Sequence, residues 1–258
     1  MIRTLLIIAG AGFVLSAACL GGAAALGGRD MAREGWAWTL HDDDGDTVRF
    51  ERENPAAANE PQETRRVAWT GGESLTVEGS IDVTFVQGAA SEVVITGPRS
   101  AVERVVVEGG RIRVRDGAER VTFGFRPGGF EAWSDSERLR VVVTAPRVSR
   151  FELKGSDDLS IEGYDQDTLA IDVSGSGEVT ARGRTRSLTL DLSGSGEADL
   201  SSLQTTDAAV DVSGSGEARV APTGNARIDV SGSGDVTLTT RPAQLSQNLS
   251  GSGDVDQL

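Results

Sequence analysis

A seven-residue phrase recurs five times between Ala170 and Leu258 and limits what this chain can fold into. It reads Asp-Val-Ser-Gly-Ser-Gly-Glu from Asp172, Asp-Leu-Ser-Gly-Ser-Gly-Glu from Asp191 and Asp-Val-Ser-Gly-Ser-Gly-Glu from Asp211, and further copies open at Asp229 and Asn248. The first serines, Ser174, Ser193, Ser213, Ser231 and Ser250, are 19, 20, 18 and 19 residues apart. So short and regular a period marks an array of small units, none able to bury its own apolar face.

Within a unit the parity is that of a strand: Leu188, Leu190, Leu192, Gly194, Gly196, Ala198 and Leu200 share the inward face, and Thr189, Asp191, Ser193, Ser195, Glu197 and Asp199 the outward one. The paired glycines, Gly175 and Gly177, Gly194 and Gly196, Gly214 and Gly216, Gly232 and Gly234, and Gly251 and Gly253, then mark a corner that has no room for side chains. Nineteen extended residues would span roughly 60 Å, several times a usual strand, so each unit turns again. That second turn falls in variable polar patches such as Arg182-Gly183-Arg184 and Pro222-Thr223-Gly224. The chain reads as an all-β solenoid with coils of about 19 residues. An antiparallel meander with two strands per repeat competes, and the identical corner in every unit favours the solenoid.

Parallel stacking would set equivalent residues about 4.8 Å apart and turn the repeats into columns. Glu178, Glu197, Glu217, Asp235 and Asp254 form one acid column; Asp172, Asp191, Asp211, Asp229 and Asn248 form a second. Two carboxylates at that spacing repel by about 0.9 kcal/mol in water. The first column is therefore either a strained, solvated face or, helped by serine hydroxyls, a weak calcium ladder of hard oxygen ligands. No other cofactor is expected.

With 25 Lys and Arg against 39 Asp and Glu, the net charge is -14, which argues against nucleic acid and anionic lipid as partners. Behind Arg3, the apolar stretch from Leu5 to about Leu26 reads as a signal peptide or membrane anchor over residues 1–28, so the remainder is exported, to the periplasm or cell envelope. Membrane contact is expected only through this segment. Cleavage, retention and lipidation at Cys19 stay open. Cys19 is the only cysteine, which leaves the mature domain without disulfides or thiol chemistry.

Residues 29–66 read as an irregular polar segment. The run His41-Asp42-Asp43-Asp44-Gly45-Asp46 has Thr47 where an EF-hand loop needs glycine, so it reads as a solvated acidic turn. The β-helical domain is placed at 67–258. Val77 to Val83 is a degenerate copy of the phrase, and Phe151 to Leu159 a transitional one. Gly124 to Trp133, an aromatic segment, is expected to project from a coil corner.

These features, a degenerate first half followed by successive Val/Leu-Ser-Gly-Ser-Gly-Glu/Asp units behind an export segment, resemble the head GIN domain family over about Val67 to Leu258. Its members are bacterial proteins suggested to be auto-transporter adhesin head domains. The resemblance implies a right-handed parallel β-helix, shaped like pectate-lyase-like proteins but without their catalytic residues.

Catalysis needs one asymmetric constellation, whereas near-identical coils supply repeated surfaces. The single His41 lies outside the coils, which weakens any Ser-His-Asp reading. Carboxylates such as Asp172 and Glu178 recur up the stack and read as a polar face before they read as a glycosidase pair. The expected function is a non-enzymatic exported module that binds a surface ligand, glycan or protein. The alternatives are a self-assembling envelope protein that pairs through its C-terminal coil and, behind it, a polysaccharide-active enzyme.

Overall fold

The computed structural model describes residues 37–41, 47–52, 61–79, 81–115, 119–126, 129–134 and 139–258, which fall into two compact units. Residues 1–28, Cys19 among them, and the acidic run 42–46 lie outside the described residues.

In the first unit, β1 (Ala37–His41), β2 (Thr47–Arg52), β9 (Glu119–Arg126) and β10 (Gly129–Ser134) form a sheet in the order β1-β2-β9-β10. The outer pairs are antiparallel and β2 runs parallel to β9, with Phe50 opposite Val121. Residues 29–66, expected to be irregular, thus supply two strands here. Trp38 and Leu40, then Val48 and Phe50, are short period-two runs that a reading fixed on the 19-residue repeat passes over. Of the segment Gly124 to Trp133, expected at a coil corner, residues 124–126 and 129–133 lie in the antiparallel pairing of β9 and β10 in this unit, with Trp133 opposite Thr122 in the ladder.

The second unit is an all-β solenoid in which the coils stack in parallel. One face joins β8 (Arg111–Val114), β4 (Ser74–Gly79), β12 (Arg150–Gly155) and the second halves of β13 (Asp158–Gly175), β14 (Glu178–Gly194) and β15 (Glu197–Gly214), then β17 (Asn225–Gly232) and β19 (Gln244–Gly251). The other joins β11 (Arg140–Ala145), β5 (Asp82–Gln87) and the first halves of β13, β14 and β15, then β16 (Glu217–Pro222), β18 (Asp235–Leu238) and β20 (Val255–Gln257). Strands as long as β13 to β15 bend where the register slips, between Ile161 and Tyr164, Thr180 and Gly183, and Leu200 and Thr205. Those slips are the second corner of each coil.

Before β12 the order along the chain departs from the order in space. β5 sits between β11 and β13, β6 (Glu92–Pro98) pairs antiparallel with both β3 (Gln62–Ala68) and β11, and β7 (Val105–Glu108) pairs antiparallel with β8. Helix α1 (Arg99–Arg104) buries Ala101 and Val102 in the same core.

Inward positions form buried columns, such as Leu75, Phe151, Ile171, Leu190, Val210 and Ile228 on one face and Val83, Leu159, Val179, Ala198, Ala218 and Val236 on the other. The coils around β12 hold aromatic contacts: Phe85 to Phe151 at 5.0 Å and Phe151 to Tyr164 at 6.3 Å between ring centres. Towards the last coil the first column ends in Gln247, and all of β19 is exposed.

Candidate functional site

The Ser-Gly-Ser-Gly-acid corner repeats on every regular coil, and its backbone explains why. Gly79, Gly155, Gly175, Gly194, Gly214, Gly232 and Gly251 stand in register, all with positive φ between 111° and 136°. An L side chain rarely adopts that conformation. At Gly194 a Cβ would also meet the Gly175 carbonyl oxygen at 2.4 Å. The second glycine needs space alone: at Gly196 a Cβ would lie 2.7 Å from the Gly177 oxygen and 3.1 Å from Val173.

The two glycines therefore differ in direction, which corrects the simple alternation. Gly177, Gly196, Gly216 and Gly234 are buried, but Gly194, Gly214, Gly232 and Gly251 are exposed, because the positive φ rotates the chain out of strand parity at this point. Gly253 meets the Gly234 oxygen at 2.0 Å if given a Cβ, as the same stacking requires.

Hydrogen bonds between coils hold the corner. The Ser176, Ser195, Ser215, Ser233 and Ser252 amides donate to the first corner glycine of the coil before, at 2.7 to 2.9 Å. The Glu197, Glu217 and Asp235 amides donate to the second at 3.0 to 3.1 Å. Hydroxyls of Ser174 and Ser193 donate to the carbonyls of Leu153 and Val173. The next serine column, Ser176 to Ser252, is exposed. Its side chains rise from a backbone fixed in register.

Both acid columns are present. Asp82, Asp158, Glu178, Glu197, Glu217 and Asp235 are paired in series, and the Asp254 amide donates to Asp235 Oδ1 at 2.9 Å. Asp172, Asp191, Asp211, Asp229 and Asn248 form the second. Partial burial first, then Asp158, Glu197 and Asp199, raise the Glu178 carboxyl above its ordinary value. Burial, then Asp172 and Asp211, do the same for Asp191. The repulsion is interrupted by basic residues that the repeat does not show. Arg219 donates to both Glu197 and Glu217, the latter at 2.6 Å, and Arg227 pairs with Asp229 at 2.8 Å, holding that carboxyl low. No three acidic, histidine or cysteine side chains among the described residues are gathered as a cation would need.

The second corner is a separate surface. Arg184 grips Asp165 through two 2.7 Å bonds and Arg186 pairs with Asp167 at 3.4 Å, along a groove of about 410 Å³ that Thr206 also lines. A second groove of about 300 Å³ runs past Asp207, Asn225, Arg227 and Leu245. Asn225 donates to Asp207 through its amide and side chain, lowering that carboxyl's pKa. Neither groove draws its lining from the Ser-Gly-Ser corner.

One inward residue escaped the repeat: Asp157, in the transitional copy, takes the place that glycine holds in later coils and is 1% exposed. Strand parity with Leu153 and Leu159 was the signal that could have found it.

A family model described as "Putative auto-transporter adhesin, head GIN domain" matches residues 73–242. Among curated proteins none matches. A solved structure titled a putative adhesin, from Bacteroides fragilis, is 15% identical and superposes with a TM-score of 0.59 over 78% of this chain and 98% of its own. A putative adhesin from Parabacteroides merdae (14% identity, TM-score 0.46) and a putative lipid binding protein from Parabacteroides distasonis (17%, 0.44) each cover 81% of this chain and 99% of theirs. At these identities the first supports the fold alone.

Proposed function

We propose, from the premise that the chain belongs to the head GIN domain family, that it is an exported, non-catalytic β-helical module that holds a surface ligand at the cell envelope. The winding is taken as right-handed and residues 1–28 as the export segment. The observation that carries this reading is the corner ladder. Its exposed serines and carboxylates repeat from coil to coil on a backbone that hydrogen bonds hold in place. Such a lattice presents many equal, weak donors and acceptors to a ligand that is itself repetitive, as a glycan is. Binding by summed weak contacts needs no tuned nucleophile or base.

The test is a glycan array and an envelope-protein overlay, run with the wild-type chain and with Ser195→Lys/Ser215→Lys. The variant leaves the backbone bonds of the corner in place but obstructs the ladder. Binding by the wild type that the variant loses supports the reading; binding that the variant keeps refutes the ladder as the site.

A second reading is self-association. Leu245 and Leu249 occupy inward positions of β19 but are 41% and 42% exposed. Sedimentation of the wild type against Leu245→Ser/Leu249→Ser distinguishes it, because only self-association through β19 makes the wild type heavier.

A further inference from the structure

Asp157 lies where two coils meet. It follows Gly155-Ser156 in the link from β12 to β13, directly over Ile81 in the link from β4 to β5. Its Oδ1 accepts the Ile81 amide at 2.9 Å, while Oδ2 is buried with no hydrogen-bond partner among the described residues. From above, the chain leaves it no room: a Cβ on Gly177 would sit 2.2 Å from the Asp157 carbonyl oxygen. A buried carboxylate with one oxygen unpaired is costly as an anion and much less so as the neutral acid.

The charged groups on the surrounding elements reinforce this preference. Asp158 beside it and Asp82 on β5 are carboxylates that oppose its ionisation. Glu178 begins β14 above, and Glu78 of β4 is within 3.8 Å of Lys154 of β12, an ion pair at the surface of the same seam.

We propose that Asp157 is a pH-sensitive latch, which as the neutral acid seals the seam between the β4–β5 and β12–β13 coils and on ionising loosens it. Burial pushes its carboxyl from 3.8 to about 7, against the opposing pull of the Ile81 amide bond and the nearby Gly79 backbone. With the folded value above the unfolded one, the folded chain holds the proton more tightly. The stability contributed is complete below about pH 4 and is lost as pH rises through about 7.

Thermal unfolding of the full chain from pH 5 to 8.5, for wild type, Asp157→Asn and Asp157→Gly, tests the latch. Asn keeps the shape without the charge, and Gly is the residue that later coils carry at this corner. The wild-type midpoint is expected to fall relative to both variants as pH rises, with the inflection near 7, and to lie below that of Asp157→Asn at pH 8.5. A wild-type minus variant difference that stays constant with pH overturns the proposal. Should neither variant fold, hydrogen exchange in the wild type decides. Between pH 6 and 8 the Ile81 amide must gain more exchange rate than the Ser195 amide, and parallel gains refute the latch.

Discussion

Valine at Gly194 or Gly196 meets two different obstacles. At Gly194 it must adopt a φ near 111° and lie against the Gly175 carbonyl; at Gly196 it must displace Val173 and the chain below. Each substitution is expected to lower stability by at least about 2 kcal/mol, in the range of strained and overpacked sites. Ser195→Ala should stay within about 0.5 kcal/mol, because the coil contact runs through the Ser195 amide and the side chain is exposed. Unfolding midpoints of the three variants check this, and equal midpoints would remove the corner's steric basis. Glycine at these places was readable because only repetition distinguishes a required glycine from an incidental one. Which way each glycine faces was not, since alternation carries no record of a positive φ. Asp157 was hidden for the opposite reason: it departs from the repeat that drew attention to its neighbours.

A column is stable only if its charges are managed along its whole length. Arg219 bridges Glu197 and Glu217 from the neighbouring column, so the central carboxylates already have a cation. Millimolar calcium is therefore expected to raise the wild-type midpoint no more than an ionic-strength-matched sodium salt does. A calcium-specific rise that Glu197→Gln/Glu217→Gln abolishes would establish the ladder as a metal site instead. Arg219→Ala should lower the midpoint at low salt, with a smaller loss at high salt as screening weakens the freed repulsion. A loss independent of salt would mean that Arg219 acts by packing. The acid columns themselves could be read from spacing, because parallel register converts a repeat into a stack. The basic residues could not, since Arg219 and Arg227 occur once each: Arg219 reaches Glu197 only across the β15–β16 register, and Arg227 pairs with Asp229 two residues along its own strand. Strands β1, β2, β9 and β10 were missed because no 19-residue period runs through them.

At the scale of the whole molecule, one regular period decides the architecture of the second unit, and the departures from it gather before β12, where sequence order and spatial order part. Parallel stacking was legible because the unit is too long for one strand and too short to bury itself. The insertion of β5 between β11 and β13 was not, since it depends on which strands pair across more than fifty residues. The function proposed rests on coil-to-coil register, because only an in-register stack makes a ladder of the corner serines. Spin-label distances test that register most directly. In a Cys19→Ser background, one label is placed at Ser156 and the second in turn at Ser176, Ser195, Ser215, Ser233 and Ser252. The distance should increase by about 4.8 Å with each coil. An increase of about twice that per repeat, as two antiparallel strands in each unit would give, would contradict the solenoid and the ligand ladder built on it.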